Sequence, residues 1–195
     1  MSKKIYIVAG CNGAGKTTAS YTILPEILDC KEFVNADEIA KGLSPFQPDT
    51  VAFEAGRIML ERLDGLLRNN ENFAFETTLA SKIFAQFISR AIKQGYEITL
   101  LFFWLNSKEL AVKRVKTRVE EGGHNIPQEV IERRYDRGLL NFYKLYLPLV
   151  NNWMFIDNSG TPYKEICQST NGELEIFDLD KWNRIQKQYG KQIDI

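Results

Sequence analysis

The segment from Gly10 to Thr17 has the residue types and spacing of a phosphate-binding loop. It reads Gly-Cys-Asn-Gly-Ala-Gly-Lys-Thr and matches GxxxxGK(S/T) at every fixed position, between a β-branched strand and a helical pattern. A glycine-rich turn of this kind lets successive backbone N–H groups converge on phosphate oxygens beside the positive end of a helix. The alternative is a turn that only joins a strand to a helix.

The expected ATP-binding residues of this loop are Gly10, Asn12, Gly13, Ala14, Gly15, Lys16, Thr17 and Thr18. Lys16 is expected to reach the β and γ phosphates and to act in catalysis, and the Thr17 hydroxyl is expected to bind Mg²⁺. ATP and Mg²⁺ are therefore the predicted cofactors.

Two carboxylates follow later predicted strands, at the sheet edge where ligands gather in open α/β folds. Asp37 is expected to be ionised and to accept a hydroxyl proton as general base, and the alternative is that it caps the helix beginning near Glu38. Glu76 is expected to hold Mg²⁺ or its water, or to bind the phosphoryl acceptor together with Thr77. A solvated strand end is the alternative for Glu76.

Cations form the third part of the predicted site. The arginines concerned are Arg114 and Arg118 on one predicted helix and Arg133, Arg134 and Arg137 on the next. A loop containing Gly122-Gly123 joins these helices, so they are typical of a lid that closes over phosphates, with His124 as a hinge or hydrogen-bonding residue. Arginine directed at the transferred group stabilises its charge. The alternative is a solvated helix face on which interleaved acidic residues pair with the arginines.

Alternating apolar and amphipathic segments position these residues and predict an α/β fold with a mostly parallel sheet covered by helices. The five predicted strands are Ile5 to Ala9, Glu32 to Asn35, Phe73 to Glu76, Ile98 to Leu105 and Trp153 to Asp157. The predicted helices are Lys16 to Ile27, Asp49 to Leu67, Ile83 to Gln94, Ser107 to Glu121 and Pro127 to Val150.

After Asp157 the pattern changes to a small C-terminal hairpin. Tyr163 to Cys167 and Glu173 to Phe177 flank Asn171-Gly172, a pair that favours a tight β-turn, and a short tail follows from Asp178. We expect one domain over residues 1–195, with the lid at about 114–137 and the hairpin and tail at about 161–195.

Composition bounds the partners of the 195-residue chain. Lys and Arg number 25 against 25 Asp and Glu, so the formal net charge is zero, which argues against a protein that coats nucleic acid. The longest apolar run is too short to cross a bilayer, and the N-terminal apolar stretch ends at a glycine-rich turn. One histidine and three widely spaced cysteines argue against a zinc site. We expect a cytoplasmic protein that acts on a small molecule, without nucleic-acid or membrane partners.

The ordered set of motifs resembles the zeta-toxin-like P-loop kinases, and most closely the bacterial branch often labelled predicted ABC-type ATPases. The motifs are Gly10 to Thr17, Asn35-Ala36-Asp37-Glu38, Phe75 to Leu79, Arg114 with Arg118, Gly122 to Pro127, and Arg133-Arg134-Tyr135. The resemblance runs from about Lys4 to Trp182. No LSGGQ-like signature follows the P-loop, so an ABC-type mechanism is not expected.

The resemblance implies a P-loop NTPase fold of kinase type and phosphoryl transfer from ATP to a hydroxyl of a sugar nucleotide such as UDP-N-acetylglucosamine. It implies that Asp37 is the base, that Arg118 with Arg133 or Arg134 supplies the lid cations, and that Asn158 lies near the adenine. A neutralising antitoxin protein is a further implied partner. The Glu76-Thr77-Thr78 element replaces the Glu-Gly-Thr of the best-known toxins, a departure on the acceptor side.

Two other function classes fit the same residues. One is a switch or interaction module that uses ATP only to order its lid and recruit a partner. The other is a nucleoside or nucleotide kinase of similar architecture, which changes the acceptor but not the chemistry.

Overall fold

A seven-stranded sheet forms the centre of the part of the chain that this computed structural model describes, residues 3–123 and 125–190. Its strands are β1 (Lys3–Gly10), β2 (Phe33–Val34), β3 (Phe73–Thr77), β4 (Tyr96–Trp104), β5 (Asn152–Asp157), β6 (Lys164–Thr170) and β7 (Glu173–Ile176). The spatial order is β2-β3-β1-β4-β5-β6-β7, with the first five strands parallel and the last two antiparallel to their neighbours. The prediction of an α/β fold with a mostly parallel sheet is confirmed.

In the described residues, six α-helices lie along the chain between the parallel strands and a seventh follows β7. They are α1 (Lys16–Thr22), α2 (Ala36–Leu43), α3 (Ala52–Arg68), α4 (Ile83–Lys93), α5 (Lys108–Glu120), α6 (Gln128–Asn141) and α7 (Leu179–Tyr189). Shorter turns adjoin three of them, a 3₁₀ turn at Pro48–Val51 and π-helical turns at Ile23–Ile27 and Phe142–Tyr146. Pro25 lies in the first π-helical turn, where it cannot donate the backbone bond that an α-helix would need. None of the helices in the described ranges is both long and apolar enough to cross a membrane.

The C-terminal part differs from the prediction in two ways. The hairpin was expected beside a five-stranded sheet, but β6 pairs antiparallel with β5 and the hairpin extends the sheet to seven strands. Asn171 and Gly172 form its turn with φ of 53° and 85°, as their sequence favours. The segment expected to be a short tail instead contains α7, which is capped by the Asp178 side chain.

β1 carries the phosphate-binding loop and lies between β3 and β4. Ile5 is aligned with Phe73 on one side and with Ile98 on the other, and these three residues are fully buried. A parallel strand covered on both faces has an unbroken apolar sequence, which is why β1 and β4 were found from the sequence. The same arrangement brings the carboxyl ends of β1, β2 and β3 to one edge of the sheet, where the site lies.

α7 is fastened to the end of β5 by packing and by charge. Trp182 stacks on Trp153 with ring centroids 5.5 Å apart. The Lys181 ammonium lies 3.0 Å from Asp157 and 3.2 Å from Asp178. Burial alone would raise the pKa of Asp157, but the bonds that it accepts from Ser159 and Lys181 outweigh burial and lower that pKa. The buried carboxylate is therefore stabilised as the ion.

Replacing Lys181 with Met should lower the free energy of unfolding by about 1–3 kcal/mol at pH 7, because Asp157 would keep its buried charge without its cation. A carboxyl group whose pKa is lowered by folding stabilises the protein above its unfolded pKa of about 3.9 and loses that contribution at lower pH. The difference from the unmodified protein should shrink as pH falls below about 4. Urea unfolding at pH 7 and below about pH 4 measures this difference, with the exposed Lys187→Met as control. Equal losses at both pH values would contradict the account.

Candidate active site

The loop from Gly10 to Thr17 is shaped by glycines that no other residue could replace without strain. Gly10, Gly13 and Gly15 have φ of 142°, 79° and 79°. A Cβ on Gly13 would lie 2.8 Å from the Ala111 carbonyl oxygen, and one on Gly15 would lie 2.5 Å from the Asn158 amide nitrogen. Gly15 caps α1 without a side-chain bond. The loop is thus a backbone cradle at a helix N-terminus, as its motif predicts.

Lys16, Thr17 and Glu76 meet in a partly buried cluster at the mouth of this cradle. The Lys16 ammonium lies 3.4 Å from one Glu76 oxygen and donates a 3.0 Å bond to the Cys11 carbonyl. The Thr17 hydroxyl donates a 2.7 Å bond to the other Glu76 oxygen. The side chains of Lys16 and Glu76 are only 6% and 9% exposed. Glu76 is therefore not the solvated strand end that was its alternative interpretation.

Asp37 lies in the first turn of α2, but it does not cap the helix. The cap is Asn35, whose side-chain oxygen accepts a 2.8 Å bond from the Asp37 backbone N–H. The interpretation of Asp37 as the N-cap is wrong, because the helix begins at Ala36 rather than near Glu38. The Asp37 side chain is half-buried and lines the same cleft as Lys16. Its carboxylate is left to act on a ligand.

Two lid arginines are bonded beside the P-loop, and not to the acidic residues interleaved with them. The Arg134 guanidinium donates a 3.2 Å bond to the Asn12 side chain, and Arg114 donates one of 3.2 Å to the Ser159 carbonyl. Burial lowers the pKa of Arg134, while the nearby Asp37 carboxylate opposes that change. Arginine keeps its charge in proteins, so Arg134 brings a partly desolvated cation to the cleft.

The remaining lid residues divide into two groups. Arg118 and Glu121 line the cleft, and Gly123 packs so closely on Arg118 that a Cβ there would lie 2.8 Å from its Cγ. Arg133 is exposed and is not among the residues that line the cleft. His124, the expected hinge residue, lies outside the described residues. The lid helices α5 and α6 thus bring three of their arginines, Arg114, Arg118 and Arg134, to the cleft.

Asn158 contacts the P-loop directly. Its amide donates a 2.8 Å bond to the Ala14 carbonyl and touches the face of Gly15. Like Gly10, Ala14 and Arg133, it is not among the residues that line the cleft. A role in adenine binding stays a prediction for this residue.

The loop after β3 is held by the last turns of the lid helix α6 and the segment behind it. Leu79 is fully buried at a φ of 54°, and its carbonyl accepts a 2.7 Å bond from the Asn141 amide. The Tyr146 hydroxyl donates a 2.7 Å bond to the Ser81 carbonyl. Gly138 lies against the Thr78 carbonyl, where a Cβ would be 2.5 Å away. α6 therefore contacts the β3–α4 loop through its C-terminal turns, and Arg134 lies closer to the N-terminus of the same helix.

One cleft of about 820 Å³ joins the P-loop to a second, more apolar region. Nearly all of the predicted site residues line its first part, namely Asn12, Gly13, Gly15, Lys16, Thr17, Thr18, Asp37, Glu76, Thr77, Arg114, Arg118 and Arg134. The second part is lined by Ala52, Phe53, Gly56, Arg57, Met59, Leu60, Ile83 and Phe84. The cleft thus extends from the P-loop to side chains at the starts of α3 and α4.

Sequence reasoning gave no separate role to Asn35, which joins the two acidic loops. The only signal for it was a capping-type residue at the end of a predicted strand, two positions before an acid.

The three cysteines are buried, and burial raises the pKa of Cys11 to about 11. A thiol so little ionised is unreactive at neutral pH, so Cys11 is an inert residue of the loop.

The strand order, the glycine cradle and the acidic residues at the strand ends define a P-loop fold of the kinase type. The chain belongs to the zeta toxin family, because the model of that family matches residues 1–147. An uncharacterized protein of Haemophilus influenzae is 27% identical over 135 residues, which are 69% of this chain and 94% of that protein.

Solved structures share the fold at low sequence identity. The AvrRxo1-ORF1:-ORF2 structure with ATP aligns over 100% of this chain with a TM-score of 0.74 and 14% identity, and this chain spans only 66% of that one. A structure from the PezAT chromosomal toxin-antitoxin system of Streptococcus pneumoniae aligns over 98% of this chain and 89% of its own, with a TM-score of 0.67 and 17% identity. These likenesses establish the fold alone.

Gly13→Ala should deform the cradle, because the new Cβ would press on the Ala111 carbonyl at a backbone angle that L residues rarely adopt. We expect the free energy of unfolding to fall by about 1–3 kcal/mol and the affinity for Mg·ATP to fall with it. Calorimetric titration and urea unfolding measure the two effects.

The matched control is Gly65→Ala in α3, where the new methyl group meets open space away from the cleft. This variant should gain about 0.5–1 kcal/mol of stability and bind Mg·ATP as the unmodified protein does. Equal Mg·ATP affinity in Gly13→Ala would contradict the assignment of the cradle.

Proposed function

We propose that this protein is a cytoplasmic kinase that transfers the γ-phosphate of Mg·ATP to a hydroxyl group of a small molecule. The observation that carries the proposal is the meeting of the glycine cradle, Lys16, Asp37, Glu76 and Arg134 along one cleft. A phosphate cradle alone would fit any nucleotide-binding protein. A half-buried carboxylate beside that cradle, with room for a second molecule, is what a kinase needs.

The residues present fit ATP with Mg²⁺. The cradle has the close backbone approach that phosphates require, and Lys16 can exchange its bonds to Cys11 and Glu76 for bonds to phosphate oxygens. Thr17 and Glu76 offer the hydroxyl and carboxylate oxygens that Mg²⁺ prefers. When bound, Mg·ATP supplies the transferable phosphoryl group and the charge that neutralises it. The structure of AvrRxo1-ORF1:-ORF2 with ATP, which shares this fold, supports the choice of nucleotide.

Asp37 would act as the general base. Its carboxylate is free of the capping role, lines the cleft, and lies near enough to Arg134 for their charges to interact. A hydroxyl bound between the Asp37 and Glu76 loops could pass its proton to Asp37 as its oxygen attacks the γ-phosphorus. The bond from that phosphorus to the bridging oxygen of ADP then breaks.

The lid arginines would stabilise the charge that spreads over the transferred group. Arg134 is bonded to Asn12 of the P-loop and Arg118 lines the same cleft, so we assign them the catalytic role. Arg114, bonded to the Ser159 carbonyl beside Asn158, would bind the nucleotide. Arg133 would contribute only if the lid moved, since its side chain is exposed.

A sugar nucleotide such as UDP-N-acetylglucosamine is the acceptor that we favour. The apolar side chains of Phe53, Met59 and Phe84 could pack on a flat base, while Arg57 offers a cation for phosphates. Glu76 and Thr77 stand between this region and the P-loop, where the acceptor hydroxyl would bind. Membership of the zeta toxin family supports the same choice. A nucleoside or nucleotide would use the same residues.

A protein partner that neutralises the activity is a further part of the proposal. The structural relatives come from the PezAT toxin-antitoxin system and from a complex of AvrRxo1-ORF1 with ORF2. A partner that covers the cleft of about 820 Å³ would block nucleotide and acceptor together.

Asp37→Asn should retain Mg·ATP binding and lower phosphoryl transfer by on the order of 10² to 10⁴, because the amide cannot take the hydroxyl proton. Single-turnover ADP formation and calorimetric titration measure the two properties. Glu38→Gln, at the exposed neighbouring position that pairs with Lys41, is the control and should keep both. Unchanged turnover in Asp37→Asn would reject Asp37 as the base.

The acceptor is tested by adding sugar nucleotides, nucleosides and nucleotides separately to protein with Mg·ATP. We expect UDP-N-acetylglucosamine to raise ADP formation and to gain one phosphate, as detected by mass spectrometry. If only a nucleoside or nucleotide raised ADP formation, the acceptor would belong to that class instead. If the lid became protected from hydrogen exchange on Mg·ATP binding but no acceptor raised turnover, an ATP-dependent switch would replace the kinase.

A further inference from the structure

Asn35 is a buried amide whose two ends are both occupied. Its side chain is part of a residue only 6% exposed, directly after the last residue of β2. The amide oxygen accepts a 2.8 Å bond from the Asp37 N–H. The amide nitrogen donates a 3.0 Å bond to Glu76 Oε2 and lies 3.5 Å from Thr17 Oγ1. One side chain thus contacts the loop of the proposed base, the acidic strand end and the P-loop helix.

These contacts matter because the strand pairing of β2 is short. It is two residues long and lies at the edge of the sheet, paired with β3 through Phe33 with Ala74 and Val34 with Phe75. Continuing that register by one residue sets Asn35 opposite Glu76. The amide bond between them therefore extends a short strand pairing and fixes where α2, with Asp37 in its first turn, begins.

The two ends of the amide do chemically different work. Capping α2 needs only an acceptor, and serine provides one as asparagine does. Holding Glu76 needs a donor, because a carboxylate oxygen can only accept, as the same oxygen does from the Thr17 hydroxyl. An uncharged donor keeps the Glu76 carboxylate oriented without adding a second charge beside Lys16. Serine at position 35 would retain the cap and lose the longer reach of the amide nitrogen.

We propose that Asn35 is a positioning residue that fixes the Glu76 carboxylate and the Thr17 hydroxyl for metal binding and ties them to the loop of Asp37. The proposal rests on the proposed function, since it gives Thr17 and Glu76 the metal and Asp37 the proton. In this proposal Asn35 would be a ligand of neither the metal nor the transferred group. It acts through Glu76, as residues that orient metal-binding side chains commonly do.

The test compares Asn35→Ser with Asn35→Ala in the full chain, using Mn²⁺ and the non-hydrolysable ATP analogue AMPPNP as probes. Mn²⁺ takes the same oxygen ligands as Mg²⁺ and is followed by its electron paramagnetic resonance signal. Both variants should bind Mn²⁺ in the presence of AMPPNP about 10- to 100-fold more weakly. Both variants lose the bond to the buried Glu76 carboxylate, and Asn35→Ala should lower the urea midpoint further than Asn35→Ser does, because it alone also loses the cap.

Ser107→Ala is the matched control, since Ser107 caps α5 by accepting a bond from Leu110 N–H. It should lower the urea midpoint and leave Mn²⁺ affinity unchanged. If Asn35→Ser bound Mn²⁺ as tightly as the unmodified protein, Asn35 would be a helix cap and nothing more. Failure of the unmodified protein to bind Mn²⁺ with AMPPNP would instead overturn the proposed function, so the two failures are distinguishable.

Discussion

The site depends on the burial of one carboxylate. Glu76 has a side chain only 9% exposed, and an ionised group so removed from water is stable only when its oxygens have partners. Those partners come from two other parts of the chain, Lys16 and Thr17 from the P-loop and Asn35 from the end of β2. The bonds to Glu76 therefore bring together the P-loop and the end of β2, to which we assign phosphate, metal and acceptor binding.

The parallel sheet makes this meeting possible. β1 and β3 are direct neighbours, so the loop after β1 and the end of β3 are adjacent without any long connection. β2 then adds at the edge and carries α2 with it. On the far side of the cleft, α6 contacts the P-loop through Arg134 and the β3–α4 loop through Asn141. Strand ends thus line one side of the cleft, and a helix lines the other.

Much of this architecture could be predicted from the sequence, and the failures have physical causes. The parallel strands were found because buried strands have continuous apolar sequences, and the P-loop because its glycines are required by backbone geometry. The place of the hairpin in the sheet could not be predicted, since pairing of β6 with β5 depends on contacts between separate elements. α7 was missed because its stability comes largely from Trp182 and Lys181 contacting β5.

The site shows the same division. Residue types and strand ends were enough to place Lys16, Thr17, Asp37 and Glu76 together. They could not tell which residue caps α2, since Asn35 and Asp37 both suit a cap and the choice depends on where β2 ends. Nor could periodicity decide which lid arginine faces the cleft. Adjacent residues such as Arg133 and Arg134 point about 100° apart on a helix, and the packing of α6 decides which of these directions faces the cleft.

The C-terminal hairpin also decides where the sheet stops. Because β6 covers β5, the strand that ends in Asp157 has no free backbone edge, and the open edge passes to β7. That strand has four residues, all of them exposed, and two of the four are Glu173 and Glu175. Brief, negatively charged edges resist pairing with strands of other molecules. The hairpin therefore gives this side of the sheet a short, charged edge in place of β5.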